Sequence, residues 1–164
     1  GIAASLGSDI PFLVRGGSAI VEGTGELIDP DENMPELHAV LVFPDIGCET
    51  GLVYRTYDQQ GPTALDPSRI RALKDRPIDG GLLFNDLAAP ALEVASDLAG
   101  HQQQIAEIAS LPVHVSGSGS TLFLICRDSM ESEAMASTIE SRTGLVAMPV
   151  ASSPLEMDMV ETSA

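Results

Sequence analysis

The stretch His38–Pro44, HAVLVFP, constrains this chain more than any other. Its apolar side chains run without the alternation of a strand that keeps one face in water, and a proline closes it. Such a run reads as a short strand buried on both faces. It must lie inside a sheet, so the residues around it have to supply neighbouring strands and covering helices. Leu122–Cys126, LFLIC, is a second continuous apolar run of β type, and Val113–Val115 is a shorter one. None approaches the roughly 20 apolar residues that a membrane-crossing helix needs.

The segments between these runs predict the remaining elements. A short helix is expected around Leu52–Tyr57, and a helical turn at Ser68–Leu73. From Asn85 a helical pattern begins, with Leu87, Ala91, Leu92, Ala95 and Leu98 near helical spacing; Ile105 and Ile108 continue it after a break expected at Gly100. Asn85 reads as the N-cap, and Pro90 makes the first turn irregular. Asp128 and Glu131 have capping-box spacing for a last helix that ends at Gly144, and Leu145–Val150 reads as a final strand. From residue 38 onward the order predicts an α+β sandwich, an antiparallel sheet under two main helices.

Residues 1–37 differ in character. They are rich in glycine and turns, with a short apolar run at Ile10–Val14 and a strand expected at Ser18–Glu22. The acidic, two-proline stretch Asp29–Glu36 reads as a surface connection and a domain boundary. Beyond Ala151 the chain is polar and acidic, and a frayed tail is expected over 151–164. The sequence opens on Gly1 with no signal-peptide pattern, and an N-terminal part of a larger protein is expected to precede it.

Charge narrows the partners. In 164 residues, 24 acids face 8 bases, a formal net charge of −16, and this field repels both nucleic acid and anionic membrane. The 44% apolar share suffices for the core of one domain, or one and a half. Cys48 and Cys126 have neither the number of a disulfide framework nor the spacing of metal ligands, so a reduced, cytoplasmic protein without a metal site of its own is the expectation.

Three places could carry chemistry. Asp9, in LGSDIPF, is a carboxylate flanked by glycine and proline, expected to be held rigidly and partly dehydrated; it could accept a proton from a substrate hydroxyl, or it could merely cap a turn. Ser116–Thr121, SGSGST, could turn backbone N–H groups and hydroxyls toward an anion, or could be a flexible hairpin loop. Tyr54 or Tyr57 could stack on a nucleobase, or simply fill the core. His38, His101 and His114 are scattered, without ligand spacing.

Together these segments resemble one family. LGSDIPFLVRGGSA (residues 6–19) with Glu22–Glu26, Phe43–Pro44 followed by Thr50 and Tyr54, the Phe84-Asn85-Asp86-Leu87 helix start, and SGSGSTLF (116–123) resemble, in the same order, the 4-diphosphocytidyl-2-C-methyl-D-erythritol kinases. These belong to the galactokinase, homoserine kinase, mevalonate kinase and phosphomevalonate kinase (GHMP) superfamily. The resemblance covers about 1–150. It implies a ferredoxin-like C-terminal domain over 38–150 and, over 1–37, the end of a ribosomal-S5-like N-terminal domain. The family's glycine-rich phosphate loop and its N-terminal lysine would lie before Gly1. By resemblance, Asp9 matches the catalytic aspartate, Tyr54 the ring that stacks on cytosine, Thr50 the same pocket wall, and Gly117, Ser118 and Gly119 a loop near the phosphates. ATP and Mg²⁺ are the implied cofactors of the full-length enzyme, and a small cytidine diphosphate compound its substrate. Another GHMP kinase, such as homoserine kinase, and a non-catalytic α+β binding module are the alternatives.

Overall fold

The computed structural model of the chain describes residues 7–31, 34–61, 66–73 and 78–152. The expected tail from 153 onward, and Leu6 of the first motif, lie outside the described residues. The chain divides into two compact units, one formed by the described residues of Gly1–Glu36 and Pro67–Arg76 with Ser152, the other by those of Leu37–Asp66 and Pro77–Ala151.

In the first unit, helix α1 (Ile10–Arg15) precedes an antiparallel hairpin of β1 (Ala19–Glu22) and β2 (Leu27–Pro30). Pro11 stands in the first turn of α1, where its missing N–H has no partner to lose. The hairpin corrects one expectation: Asp29 and Pro30 pair with Ile20 and Ala19, so they end a strand instead of opening a surface connection. Helix α3 (Pro67–Arg71) belongs to the same unit, and Arg71 pairs with Glu22 across 3.6 Å.

The second unit is a four-stranded antiparallel sheet in the order β4-β5-β3-β6, where β3 is His38–Phe43, β4 His114–Val115, β5 Leu122–Cys126 and β6 Val146–Ala151. The helices between them are α2 (Thr50–Gln60), α4 (Ala88–Val94), α5 (Ser96–Ala109) and α6 (Ser129–Thr143). This is the split βαβ arrangement of ferredoxin-like folds, as expected. β3 is interior, pairing with β5 on one side and β6 on the other. Val40, Val42, Val115, Leu122, Leu124 and Ala147 turn one face of the sheet to Val53, Ala91, Leu98, Ile105, Ala136 and Ile139 of the helices. Burial on both faces holds only in part: Ala39 is buried and Leu41 half-buried, whereas Phe43 and its neighbours Val146 and Met148 are exposed. An antiparallel sheet tolerates one open face. Pro149 is accommodated because β6 is an edge strand.

The helix ends carry a second correction. The break falls at Ala95 (φ −113°, ψ 80°), and Gly100 lies inside α5. Glycine is tolerated in a helix at about 1 kcal/mol, so it need not end one. Leu87, not Asn85, occupies the N-cap of α4, and Pro90 lies in its first turn. At α6 the Asp128 carboxylate accepts from the Glu131 amide (2.8 Å), and the Glu131 carboxylate reaches back to the Arg127 amide (2.6 Å). Gly144 closes the helix.

Leu98→Ala and Ile139→Ala should each destabilise the fold by about 2–5 kcal/mol, since both leave a cavity under the sheet. Met130→Ala, at a side chain 78% exposed, should stay within about 0.5 kcal/mol. Urea unfolding midpoints read both.

Candidate functional site

β3 leaves the sheet at Phe43, and a short connection carries Cys48 to the start of α2 at Thr50. β4 and β5 are joined by the loop Ser116–Thr121. The loop is not slack. The Ser116 amide donates to the Thr121 carbonyl and the Gly119 amide to the Ser116 carbonyl (2.9 Å each), closing a turn inside the hairpin. Those two amides are therefore committed within the turn and unavailable to an anion.

Two expected site residues meet there. The hydroxyls of Thr50 and Ser118 share a hydrogen bond of 2.9 Å. The Cys48 thiol donates to the Ser118 carbonyl at 2.9 Å, and burial raises its pKa. From the other side, Asn85 Nδ2 donates to the Gly117 carbonyl (2.7 Å) and the Val115 carbonyl (2.9 Å), while its Oδ1 accepts from the Leu87 amide (3.0 Å). Gln102 of α5 donates to the Val113 carbonyl just before β4 (2.7 Å). Gly119 has φ +84°, and a Cβ there would lie 3.2 Å from Cys48 Sγ and 3.5 Å from Leu98 Cδ2. Only glycine lets the loop approach this closely.

Tyr54 stands one turn after Thr50 on the same face of α2. It is 52% exposed, while Val53 and Thr56 fill the core, so Tyr54 is not a core residue. Tyr57 is half-buried. Arg55, a nearby base, is paired with Glu49 at 3.3 Å. Both partners are well exposed, so the pair contributes little.

Asp9 belongs to the other unit. It precedes α1, its backbone carbonyl accepts from the Leu13 amide (3.0 Å), and the Ser8 hydroxyl donates to its carboxylate (3.3 Å). A Cβ on Gly25 would collide with the Ser8 carbonyl, so the β1–β2 turn lies directly against this segment. Asp9 is exposed, not partly dehydrated as expected from its apolar neighbours, because the proline and isoleucine that follow it turn into α1.

Among the described residues, no group of three or more His, Cys, Asp or Glu is placed to hold a metal ion, and no helix is long and apolar enough to cross a membrane. Both cysteines are free thiols; burial, then Glu131 and Asp128, push Cys126 up to about 11. Sequence reasoning missed Cys48 and the bridging role of Asn85. The one available signal was an asparagine just ahead of a helix, which can accept and donate at once.

No protein-family model matches the chain. Among curated proteins, it is 35% identical over 163 residues to a 4-diphosphocytidyl-2-C-methyl-D-erythritol kinase of Pseudarthrobacter chlorophenolicus, covering 91% of this chain and 50% of that protein. A protein of the same name from Caulobacter vibrioides is 37% identical over 153 residues, covering 85% of this chain and 51% of its own length. The chain is a homologue of the 4-diphosphocytidyl-2-C-methyl-D-erythritol kinases. It spans about half the length of the curated relatives it matches. A crystal structure of 4-(cytidine 5'-diphospho)-2C-methyl-D-erythritol kinase superposes with a TM-score of 0.69 at 26% identity, covering 90% of this chain and 54% of that one. A homoserine kinase from Cytophaga hutchinsonii shares the fold, with a TM-score of 0.56 at 13% identity, over 86% of this chain and 49% of its own. The α+β, GHMP-type fold expected from the sequence is thus that of these kinases.

Gly119→Ala should destabilise the chain by about 1–2 kcal/mol through its left-handed backbone, and further through the contact with Cys48. Gly117→Ala, also at positive φ (+54°) but facing open space, should show only the backbone part. Denaturant unfolding of the two variants side by side separates the terms.

Proposed function

We propose that these residues are part of an ATP-dependent kinase that phosphorylates the 2-hydroxyl of 4-diphosphocytidyl-2-C-methyl-D-erythritol in non-mevalonate isoprenoid biosynthesis. The observation that carries this reading is the hydrogen bond between Thr50 and Ser118, which joins the expected substrate wall to the expected phosphate loop, on a chain homologous to kinases of that name. In this reading 38–150 are the C-terminal domain and 1–37 the end of the N-terminal domain. The two free thiols suit a cytoplasmic setting.

The donor chemistry fits a polyphosphate passing near the loop. From Val113 to Cys126 there is no charged residue, while Ser116, Ser118, Ser120 and Thr121 offer hydroxyls. The segment itself therefore brings no carboxylate to repel an anion. The described residues do not offer a carboxylate cage for Mg²⁺. In this reading the ion arrives on the nucleotide's phosphates, its usual mode of binding. ATP, when bound, supplies the phosphoryl group.

The chain's own residues bind and orient. Tyr54, exposed on α2, presents a π-face on which the cytosine stacks, and Thr50 holds the wall one turn earlier. Gly117, Ser118 and Gly119 line the approach of the phosphates. Asp9 accepts the hydrogen bond of the reacting hydroxyl, aiming its oxygen and taking its proton as the new O–P bond forms and the bond from the γ-phosphorus to the bridging oxygen breaks, releasing ADP. The homoserine kinase alternative rests on fold likeness alone, and the non-catalytic module has no observation in its favour.

Assay of the whole protein with 4-diphosphocytidyl-2-C-methyl-D-erythritol and homoserine side by side should show ATP-dependent phosphorylation of the former only; turnover of homoserine alone would overturn the assignment. Tyr54→Ala should weaken binding of the cytidine substrate by about 1–3 kcal/mol, with Phe retaining most of it. An unchanged KM would remove Tyr54 from the pocket. Asp9→Asn should keep the fold and substrate binding but lower kcat by about 10²-fold or more. Wild-type turnover in a folded variant would take Asp9 out of the mechanism.

A further inference from the structure

Asn85 makes three hydrogen bonds to backbone, two to the loop strand and one to the start of α4. Its two amide protons go to the carbonyls of Val115 and Gly117, and its oxygen receives the Leu87 amide. The surroundings determine the orientation of this amide: two carbonyls require the NH₂ end, and a backbone N–H requires the oxygen. Val115 ends β4, and Gly117 is the first glycine of the loop. The two carbonyls are therefore drawn together over one nitrogen where the chain leaves the sheet. On the far side, Cys48 holds the Ser118 carbonyl and Thr50 the Ser118 hydroxyl.

We propose that Asn85 is a positioning residue for the Ser116–Thr121 loop, clamping the carbonyls of Val115 and Gly117 so that Ser118 is delivered to Cys48 and Thr50 in the geometry that meets the nucleotide phosphates. The effect on the nucleotide rests on the kinase reading above; the clamp itself does not. Asn85 needs no contact with either substrate. It acts through the loop, by tying the Gly117–Ser118 peptide unit to the Val115–Ser116 unit that the hairpin bond to Thr121 already holds.

Asn85→Asp isolates the clamp. The carboxylate can still accept from the Leu87 amide, so the start of α4 is retained, but it has no proton for the two carbonyls and repels them. Asn85→Ser is the second variant. It keeps an oxygen near the Leu87 amide and is too short to span to the loop. The reporter is Cys48, whose thiol is held by the loop, with Cys126 as the internal reference because it is buried in the core. Alkylation of each thiol in the whole protein, resolved by peptide mass, distinguishes loop release from unfolding.

Loss of the two hydrogen bonds predicts Cys48 labelling faster by about tenfold or more, with Cys126 unchanged. In kinetics, KM for ATP should rise by a similar factor, while KM for the diphosphocytidyl substrate stays within about twofold. Unchanged Cys48 labelling in both variants would overturn the clamp. Cys126 labelling that rises in step with Cys48 would make Asn85 a general stability residue and overturn the proposal equally, as would an equal rise in both KM values. A wild-type protein without kinase activity would instead sink the functional reading, and the thiol rates would still decide the clamp.

Discussion

Everything in the second unit depends on the burial of β3 between two antiparallel neighbours. Val40 and Val42 have no exposure, and each is flanked on the same face by partners from β5 and β6. A strand so placed cannot slip by one residue, because a slip would turn both valines to the opposite face. Its register therefore determines where its end lies. Cys48 and Thr50 follow that end directly, and the loop preceding β5 is carried by the neighbouring strand. The site is a consequence of strand register, reached through short connections.

The loop shows how a flexible composition becomes a defined shape. Ser-Gly-Ser-Gly-Ser-Thr has little to pack, and ordering it costs backbone entropy of about 1–2 kcal/mol per residue. The compensation is distributed. Hairpin bonds close it from within, Thr50 and Cys48 hold Ser118 from one side, and Asn85 holds Gly117 from the other. Removing the side chain at Gly119 lets the backbone lie against Cys48 and Leu98. The loop's hydroxyls are thereby displayed on a scaffold attached to the core.

Much of this was legible beforehand. The apolar runs located β3 and β5, the Asp128–Glu131 spacing and Gly144 bracketed α6, and the element order implied the antiparallel sheet. The misplaced break between α4 and α5 has a clear reason: glycine weakens a helix without ending it, whereas Ala95 leaves helical geometry with nothing in its side chain to announce it. The sequence marks Asn85 as a cap because capping is a local property. Its bonds to residues thirty or more positions away are not.

The sequence by itself determined the class of fold, the order of elements, the acidic surface and the residues whose pattern resembles a kinase, because hydropathy period, capping and turn chemistry act over a few neighbouring positions. Only the tertiary structure decided that Thr50 meets Ser118, that Cys48 and Asn85 hold the loop, that Tyr54 stands outside the core, and that one face of β3 is partly open. Those facts arise from strands and helices distant in sequence coming into contact, and no local pattern encodes which side chain such packing will leave facing another.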